Sequence, residues 1–369
     1  MIDWPGLLQR NGAEIATPAL VIDLEAFERN VARMAEHCRS QGISLRAHAK
    51  THKCAEVSRR QIAAGAVGQC CAILDEAEHL AAAGIGNILI TSPLVSENSV
   101  RRLIALNARC PGLMAVADSA EAVSRLSQAA FTSGQNLTLL VDIDVGHHRT
   151  GIAPGEPAAA LAAQIAQSPG LTFAGIQGYA GHVQHIVDRA ERETESAQAM
   201  EKLRLTRDLL AARGLAPRIV SGGGTGSFDI DPARGVLTEL QCGSYVFMDR
   251  QYNDVWPDGP PFETSLFVLS RVVSANQPDM VTTDAGLKAF STDADPPVIA
   301  YGPKGASYGF FGDEYGKVRL ADGGQARAGE AVVCVTPHCD PTVNLYGHYV
   351  IIRGSEVVDR WPTAGGKYR

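Results

Sequence analysis

The sequence lacks long apolar runs and lacks an excess of basic residues. No stretch of its 369 residues approaches the length of a membrane span, and residues 1–5 have neither the basic nor the apolar region of a signal peptide. With a net charge of −7 and a pI near 5.8, it has no surplus of Lys and Arg to hold phosphates in bulk. We therefore expect a small-molecule substrate, and neither nucleic acid nor a membrane as a partner.

Cysteines with the spacing of a metal or redox motif are also missing. The eight cysteines are scattered, without a CxxC pair and without the density of a disulfide scaffold. Apolar residues make up 45% of the chain and charged residues 20%, as in an ordinary soluble protein. These features predict buried thiols and a cytoplasmic protein.

Apolar strands alternate with helical segments through the first two-thirds of the chain. Repeated βα units with apolar strands predict a parallel sheet covered by helices, and eight such units favour a closed (β/α)8 barrel over residues 1–262. The first 15 or so residues can pack on the second domain instead. The eight predicted strands are 19–24, 43–50, 67–73, 87–91, 113–117, 137–143, 171–177 and 218–220.

After about residue 262 the rhythm changes to short apolar runs separated by Gly, Pro and Asp, with little room for helices. This pattern predicts a C-terminal antiparallel β domain over residues 263–369. The runs are 265–273, 297–301, 317–320, 331–336 and 348–353.

Basic residues alternate along the second predicted strand, so that Arg46, His48, Lys50 and His52 would share one face. A solvent-facing edge strand would also show this pattern. The alternative is a lysine whose pKa is lowered by neighbouring cations, which suits Schiff-base chemistry because that reaction requires the neutral amine.

Two small-residue turns follow later strands, at the end of a barrel where enzymes bind phosphates. The run 221–227, Ser-Gly-Gly-Gly-Thr-Gly-Ser, matches neither a Walker A loop nor a dinucleotide fingerprint. It is either a plain turn or a phosphate cradle, over which the second turn, 240–245, could close. Near the end of the chain, His338 and Asp340 are two residues apart and could share Mn, Mg, Co or Zn with water as the other ligands. An ordinary polar turn before Pro341 would look the same.

Taken in order, these motifs resemble the D-threonine aldolase family, which belongs with the D-serine dehydratase-like pyridoxal-phosphate enzymes of the alanine-racemase fold. The resemblance runs from about residue 15 to the end of the chain. The motifs that carry it are 17–24, 48–53, 141–146, 221–227, 240–245 and 338–342.

The resemblance implies a pyridoxal-phosphate barrel, a C-terminal β domain, a divalent metal (Mn first, then Mg, Co or Zn) and a homodimer. It assigns Lys50 as the Schiff-base lysine and His338 and Asp340 as the metal ligands. The further residues expected at the cofactor are Arg149, Tyr179, Gly223, Gly224, Thr225, Gly243 and Ser244. Arg149 and Tyr179 are expected near the cofactor because they follow strand ends, as do His147 and His148, although Arg149 could equally be a surface ion-pair partner.

The implied activity is aldol cleavage of a D-β-hydroxy-α-amino acid, such as D-threonine, to glycine and an aldehyde. The metal would lower the pKa of the substrate hydroxyl, and His52 or a hydroxide ion on the metal would accept the proton. The sequence has Tyr179-Ala180-Gly181-His182 where a His directly after the Tyr is expected, so the base stays open.

Several alternatives remain. Dehydration of D-serine or D-3-hydroxyaspartate fits the same scaffold, although the related dehydratases carry His-x-Cys where this chain has Asp340. A 3-hydroxyaspartate aldolase releasing glyoxylate also fits. A metal-free racemase would need a second base opposite Lys50 and no His-x-Asp, and non-enzymatic pyridoxal-phosphate carriers lack the β domain.

Overall fold

The computed structural model describes residues 2–11 and 14–365. In chain order its strands are β1 Ala19–Asp23, β2 Ser44–His48, β3 Gly68–Cys71, β4 Ile88–Ile90, β5 Met114–Ala117, β6 Leu137–Asp142, β7 Leu171–Gly178, β8 Ile219–Gly222, β9 Glu239–Leu240, β10 Leu266–Ser274, β11 Met280–Thr283, β12 Val298–Tyr301, β13 Ser307–Phe310, β14 Gly316–Arg319, β15 Ala331–Val335, β16 His348–Arg353 and β17 Glu356–Pro362.

The α-helices fill the segments between the strands. They are α1 Trp4–Asn11, α2 Leu24–Ser40, α3 Ala55–Ala63, α4 Leu74–Ala82, α5 Glu97–Asn107, α6 Ala120–Thr132, α7 Glu156–Gln167, α8 Arg189–Ala212, α9 Arg250–Asp254 and α10 Cys339–Val343. Local sequence sets where several of them begin. Ser96, Ser119 and Asp188 cap α5, α6 and α8 by accepting a hydrogen bond from a first-turn amide.

Strands β2 to β9 form a closed parallel barrel, which confirms the predicted fold class. Every residue of β3, β4 and β5 is buried, as expected for strands covered on both faces. An apolar cluster containing Cys70, Leu89, Met114, Val116 and Leu140 packs between the strands. The carboxyl ends of the strands therefore meet at one rim, where side chains from different strands are brought together.

One of the eight predicted barrel strands was wrong. Strand β1 lies in the second sheet, where it pairs antiparallel with β10 and parallel with β16. The barrel is closed instead by the two-residue strand β9, which pairs with β8 and β2. β1 is a fully buried apolar run, as barrel strands are, so its composition could not show which sheet it joins.

The second sheet has nine strands and is mostly antiparallel, which confirms the predicted β domain. Strands β13, β14, β11, β10, β1, β16 and β17 lie in that order, and β15 pairs with both β10 and β12. Its core includes Trp4 and Leu7 from α1, packed with Leu269, Val333 and Val350. The parallel pairing of β1 with β16 departs from the purely antiparallel arrangement that the short runs predicted.

The chain divides into two compact units. The barrel unit comprises Met34–Lys50 and Ala55–Gly243, and the sheet unit comprises Met1–Arg33, Thr51–Cys54 and Ser244–Arg369, as far as these ranges are described. The predicted boundary between residues 262 and 263 stays a prediction. Residues 1, 12–13 and 366–369, which belong to the predicted N-terminal extension and the end of the predicted β domain, lie outside the described residues.

The eight cysteines are buried and unbridged, as predicted. Burial raises the pKa of several of these thiols, including Cys70, Cys71 and Cys242, so they are packing residues rather than thiolate nucleophiles. Among the helices of the described part of the chain, none combines the length and apolarity needed to cross a bilayer.

Candidate active site

A cavity of about 320 Å³ opens at the carboxyl-terminal rim of the barrel unit. Lys50 reaches it from a single 3-10 turn, Ala49–Thr51, that directly follows β2. Arg149 and Tyr179, which the sequence predicted at the cofactor, line the same cavity. Its full lining is His48, Lys50, Ala72, Thr91, Ser92, Asp142, Ile143, Asp144, Val145, His147, Arg149, Thr150, Gln177, Tyr179 and Gln241.

The predicted row of four basic residues on one strand face was only partly correct. Strand β2 ends at His48, and the 3-10 turn then breaks the alternation, so His52 falls in the sheet unit while Lys50 lines the barrel cavity. His48 is held by contacts at both ring nitrogens: Nδ1 lies 3.4 Å from the Lys50 amide and Nε2 lies 3.2 Å from the Thr91 hydroxyl. His48 therefore fixes the backbone from which Lys50 extends.

Arg46 is not an uncompensated cation beside the lysine. Its guanidinium donates two hydrogen bonds to the Glu239 carboxylate, at 2.8 and 3.0 Å, and both residues are at least 95% buried. Because Glu239 neutralises this charge, Arg46 does not supply the cationic environment that the sequence predicted for Lys50.

From this ion pair a chain of buried hydrogen bonds runs across the barrel interior to the cavity. The Ser221 hydroxyl donates to Glu239 at 2.8 Å, and the Gln241 amide donates to the Ser221 oxygen at 2.8 Å and to the Gln177 oxygen at 3.0 Å. The Gln177 amide donates in turn to Asp142 Oδ1 at 2.9 Å. Each residue occupies a strand or strand end, so the barrel itself fixes the polar floor of the cavity.

Asp142 ends this chain at the cavity wall. It is 3% exposed, and burial raises its pKa from the ordinary 3.8 to about 6, although hydrogen bonds from Gln177 and Thr150 act in the opposite direction. Asp142 and Gln177 stand at the ends of the predicted strands 137–143 and 171–177, but neither was predicted as a site residue. Their positions at a barrel rim were the signal that could have identified them.

The cavity lining also includes an aromatic ring and an imidazole. The Arg149 guanidinium lies 5.6 Å from the centre of the Tyr179 ring, and the His147 ring meets Tyr179 edge-on at 6.1 Å. The His182 ring stacks on His147 at 6.0 Å. Burial lowers the pKa of both histidines, and Arg149 lowers that of His147 further, so both rings are neutral near pH 7. His147 thus lies beside Tyr179, where a histidine directly after the tyrosine was expected from the sequence.

The glycine-rich turn is tightly packed by the protein itself. Gly223 has a φ of +73°, which favours glycine. A Cβ on Gly224 would lie 2.3 Å from the Gln184 side-chain oxygen, and one on Gly226 would lie 2.0 Å from the Gln184 carbonyl. Thr225 begins the 3-10 turn Thr225–Ser227 and is buried. These contacts explain the glycines without a ligand, so the cofactor role of Gly223, Gly224 and Thr225 stays a prediction.

The other predicted cofactor residues lie where the chain leaves the barrel unit. Gly243 is the last residue of that unit, and Ser244 opens the 3-10 turn Ser244–Val246 in the sheet unit. The described cavity lining includes neither of them. Their contribution to cofactor binding also stays a prediction.

His52, the predicted base, is fully buried in the sheet unit. Its Nδ1 lies 3.1 Å from the Cys54 amide, and its carbonyl accepts a hydrogen bond of 2.7 Å from the Tyr349 hydroxyl. Because a backbone amide donates only, Nδ1 is the acceptor in the first contact, so the neutral ring carries its proton on Nε2.

The predicted metal ligands also lie in the sheet unit. His338 has an extended backbone, with φ −140° and ψ 125°. Helix α10 starts at the following residue, Cys339, and Asp340 stands in its first turn. His338 Nδ1 lies 2.7 Å from Asp293 Oδ2, a contact that sequence reasoning missed. Cys339 is buried, and its amide donates to Asp249 at 2.7 Å. Among the described residues no cluster of three or more His, Cys, Asp or Glu side chains is arranged to hold a metal. His338 and Asp340 would therefore supply two ligands, and water would supply the remaining ones.

These residues fit the groups that the sequence motifs imply. The Lys50 amine belongs to a residue that lines the cavity at the rim where barrel enzymes bind phosphorylated cofactors, and an imidazole and a carboxylate stand two residues apart in the sheet unit. Imidazole with carboxylate suits a borderline-to-hard divalent cation.

Comparisons with known proteins agree with this arrangement. The alanine racemase N-terminal domain family matches residues 22–251, and the serine dehydratase domain family matches residues 265–352. The chain is 42% identical to a D-threonine aldolase of Arthrobacter sp, over 95% of this chain and 92% of that protein. It is 37% identical to a 3-hydroxy-D-aspartate aldolase of Paracoccus denitrificans (strain Pd 1222), over 99% and 96%. The crystal structure of D-threonine aldolase from Filomicrobium marinum superposes with a TM-score of 0.91 at 39% identity, with 95% of each chain covered.

Proposed function

The chain belongs to the D-threonine aldolase family, within the alanine-racemase fold, and from this premise we propose that it cleaves D-β-hydroxy-α-amino acids to glycine and an aldehyde. The observation that carries the proposal is Lys50, which lines the rim cavity of a barrel whose chain is 42% identical to a D-threonine aldolase. The enzyme is a lyase that acts on a small amino acid.

Pyridoxal phosphate is the cofactor that this fold family uses, and when bound it supplies an electron sink for the negative charge left at Cα. Lys50 would hold it covalently. Arg149 and Tyr179 are the proposed contacts that share the Lys50 cavity, and the cation–π contact between them would orient both side chains. We also retain Gly223, Gly224, Thr225, Gly243 and Ser244 as proposed cofactor contacts.

The β-hydroxyl must lose its proton as the Cα–Cβ bond breaks, and an ordinary side-chain base is much too weak to remove it alone. A divalent cation, with Mn the first choice, would lower the pKa of that hydroxyl, and His338 and Asp340 would bind the cation. His52 remains the proposed proton acceptor; its Nδ1 lone pair accepts from the Cys54 amide, so His52 must release that hydrogen bond to take the proton.

The side chain of the substrate is the least constrained part of the proposal. D-threonine is the first candidate and 3-hydroxy-D-aspartate the second, because aldolases named for each match nearly the whole chain at 42% and 37% identity. Asp340 favours cleavage over dehydration. We also propose a homodimer and a cytoplasmic location.

Substitution of Lys50 tests the cofactor assignment, and Lys53 provides a matched control. The Lys53 ammonium donates to Asn344 at 2.8 Å in the sheet unit, so it has a structural contact of its own. Lys50→Ala should lose both the visible absorbance of the bound cofactor and cleavage of D-threonine, whereas Lys53→Ala should keep both. Absorbance that survives in Lys50→Ala but vanishes in Lys53→Ala would contradict the assignment.

A further inference from the structure

The Asp293 carboxylate lies against the Nδ1 nitrogen of His338, one of the two proposed metal ligands. Its Oδ2 lies 2.7 Å from His338 Nδ1, although the two residues are 45 positions apart in the chain. A carboxylate at neutral pH only accepts hydrogen bonds, so Nδ1 must carry the proton in this contact. The lone pair of the neutral ring is then on Nε2, which is the nitrogen left to bind a cation.

We propose that Asp293 is a positioning residue for the metal site, which sets the tautomer and ring orientation of His338 so that Nε2 is presented to the divalent cation. This inference rests on the proposed function for the cation itself. It adds a residue that neither the motif nor the family resemblance assigned.

The backbone around this contact is built to hold it. The His338 amide donates to the Ser291 hydroxyl at 3.1 Å, and that hydroxyl donates back to the His338 carbonyl at 3.1 Å. Thr342 links the same two residues, because its hydroxyl donates to the His338 carbonyl at 2.8 Å and accepts from the Ser291 amide at 3.0 Å. The Tyr346 hydroxyl donates to the Ala289 carbonyl at 2.9 Å.

Segment 289–293 is thus fastened along segment 338–346 by side chains that bind backbone atoms. Arg250 secures the chain just beyond Asp293: its guanidinium donates to the Pro296 carbonyl at 2.5 Å and to Asp295 at 3.1 Å, while its own amide donates to the Thr336 carbonyl at 3.0 Å. The separation of Asp293 and His338 is therefore set by the frame around them.

A surface ion pair is the competing explanation, since half of the Asp293 side chain is exposed and 21% of that of His338. An isolated exposed pair would matter little to either residue. It would not require the two backbone segments to be joined by hydrogen bonds at Ser291 and Thr342. The frame thus favours a role in orienting the imidazole.

Mn²⁺ binding to the purified holoenzyme, measured by the loss of the free-ion electron paramagnetic resonance signal, tests the inference without using activity. Asp293→Ala should weaken Mn²⁺ binding by about 10–100-fold, the usual effect of removing such a partner. Asp293→Asn should lose less, because the amide oxygen can still accept from Nδ1. Unfolding midpoints should stay close to that of the parent in both variants.

Asp295→Asn is the matched control, because it removes the same charge from the same segment while contacting Arg250 rather than His338. Its Mn²⁺ affinity should stay near the parent value. If Asp293→Ala binds Mn²⁺ as the parent does, or loses no more affinity than Asp295→Asn, the role of Asp293 is refuted while the proposed metal site stands. If the parent does not bind Mn²⁺, or if His338→Ala and Asp340→Ala bind it as the parent does, the proposed metal site fails and the role of Asp293 fails with it.

Discussion

Replacing Asp142 by Asn should remove a pH-dependent loss of stability from the barrel. Burial raises the pKa of Asp142 to about 6, against 3.8 in its ordinary state, so the folded protein binds this proton more tightly than the unfolded chain does. The free energy of unfolding of the parent must therefore fall as the pH rises from about 3.8 to about 6.

The magnitude follows from the two pKa values. A pKa difference of about 2, at 1.36 kcal/mol per unit, corresponds to a loss of about 3 kcal/mol of unfolding free energy when Asp142 ionises in the folded protein. This loss is nearly complete once the pH is above about 6. Between pH 4.5 and 7.5 the change is about 2 kcal/mol, because part of the effect already exists at pH 4.5. Asp142→Asn has no proton to lose, so its stability relative to the parent should rise by about 2 kcal/mol over that range.

Urea unfolding of the cofactor-free proteins at the two pH values measures this difference. Asp231, whose pKa burial also raises to about 6, is present in both proteins and cancels. Thr150→Val provides an opposing arm: without the 2.8 Å hydrogen bond from Thr150 the pKa of Asp142 should rise further, so stability should fall more steeply with pH. A difference between Asp142→Asn and the parent that does not change with pH would refute the reasoning.

Three further predictions concern the metal, the cofactor and the barrel. Asp340→Cys should shift the metal preference towards zinc and impair glycine release. Asp340→Ala should abolish metal-dependent cleavage while the cofactor absorbance persists. Metal titration and glycine assays check both variants. Thr225→Val should weaken pyridoxal-phosphate binding by about 1.5–3 kcal/mol in equilibrium dialysis, and unchanged binding would place the phosphate elsewhere. Arg46→Met should cost about 3–5 kcal/mol of unfolding free energy because it leaves Glu239 buried without its partner, and adding Glu239→Gln should recover most of that loss.

The alternation of apolar strands and helical segments predicted the fold class correctly, but only the structure shows which strands pair with each other. Strand β1 is as apolar as the barrel strands, and its membership in the second sheet depends on contacts with β10 and β16, more than 240 residues away in the chain. Strand β9 has only two residues, too few for any periodicity. Strands β11 and β13 lack a continuous apolar run, so the sequence showed no strand there.

For the site, position along the predicted strands was more informative than side-chain alternation. Lys50 was expected to close the second strand; the strand ends two residues earlier, at His48, but the turn that follows still brings Lys50 to the rim cavity. The alternation argument failed at His52 because a 3-10 turn interrupts the strand. Asp293 gave no signal at all: it follows no motif, and only folding brings it to His338.

The products formed from D-threonine by the purified enzyme, with pyridoxal phosphate and Mn²⁺ present, test the proposed activity most directly. Aldol cleavage breaks the Cα–Cβ bond and releases glycine and acetaldehyde in equal amounts, with the nitrogen retained in glycine. Dehydration instead releases the nitrogen as ammonium and leaves a 2-oxo acid. We expect glycine and acetaldehyde to appear together without ammonium, and ammonium release without glycine would contradict the proposed function.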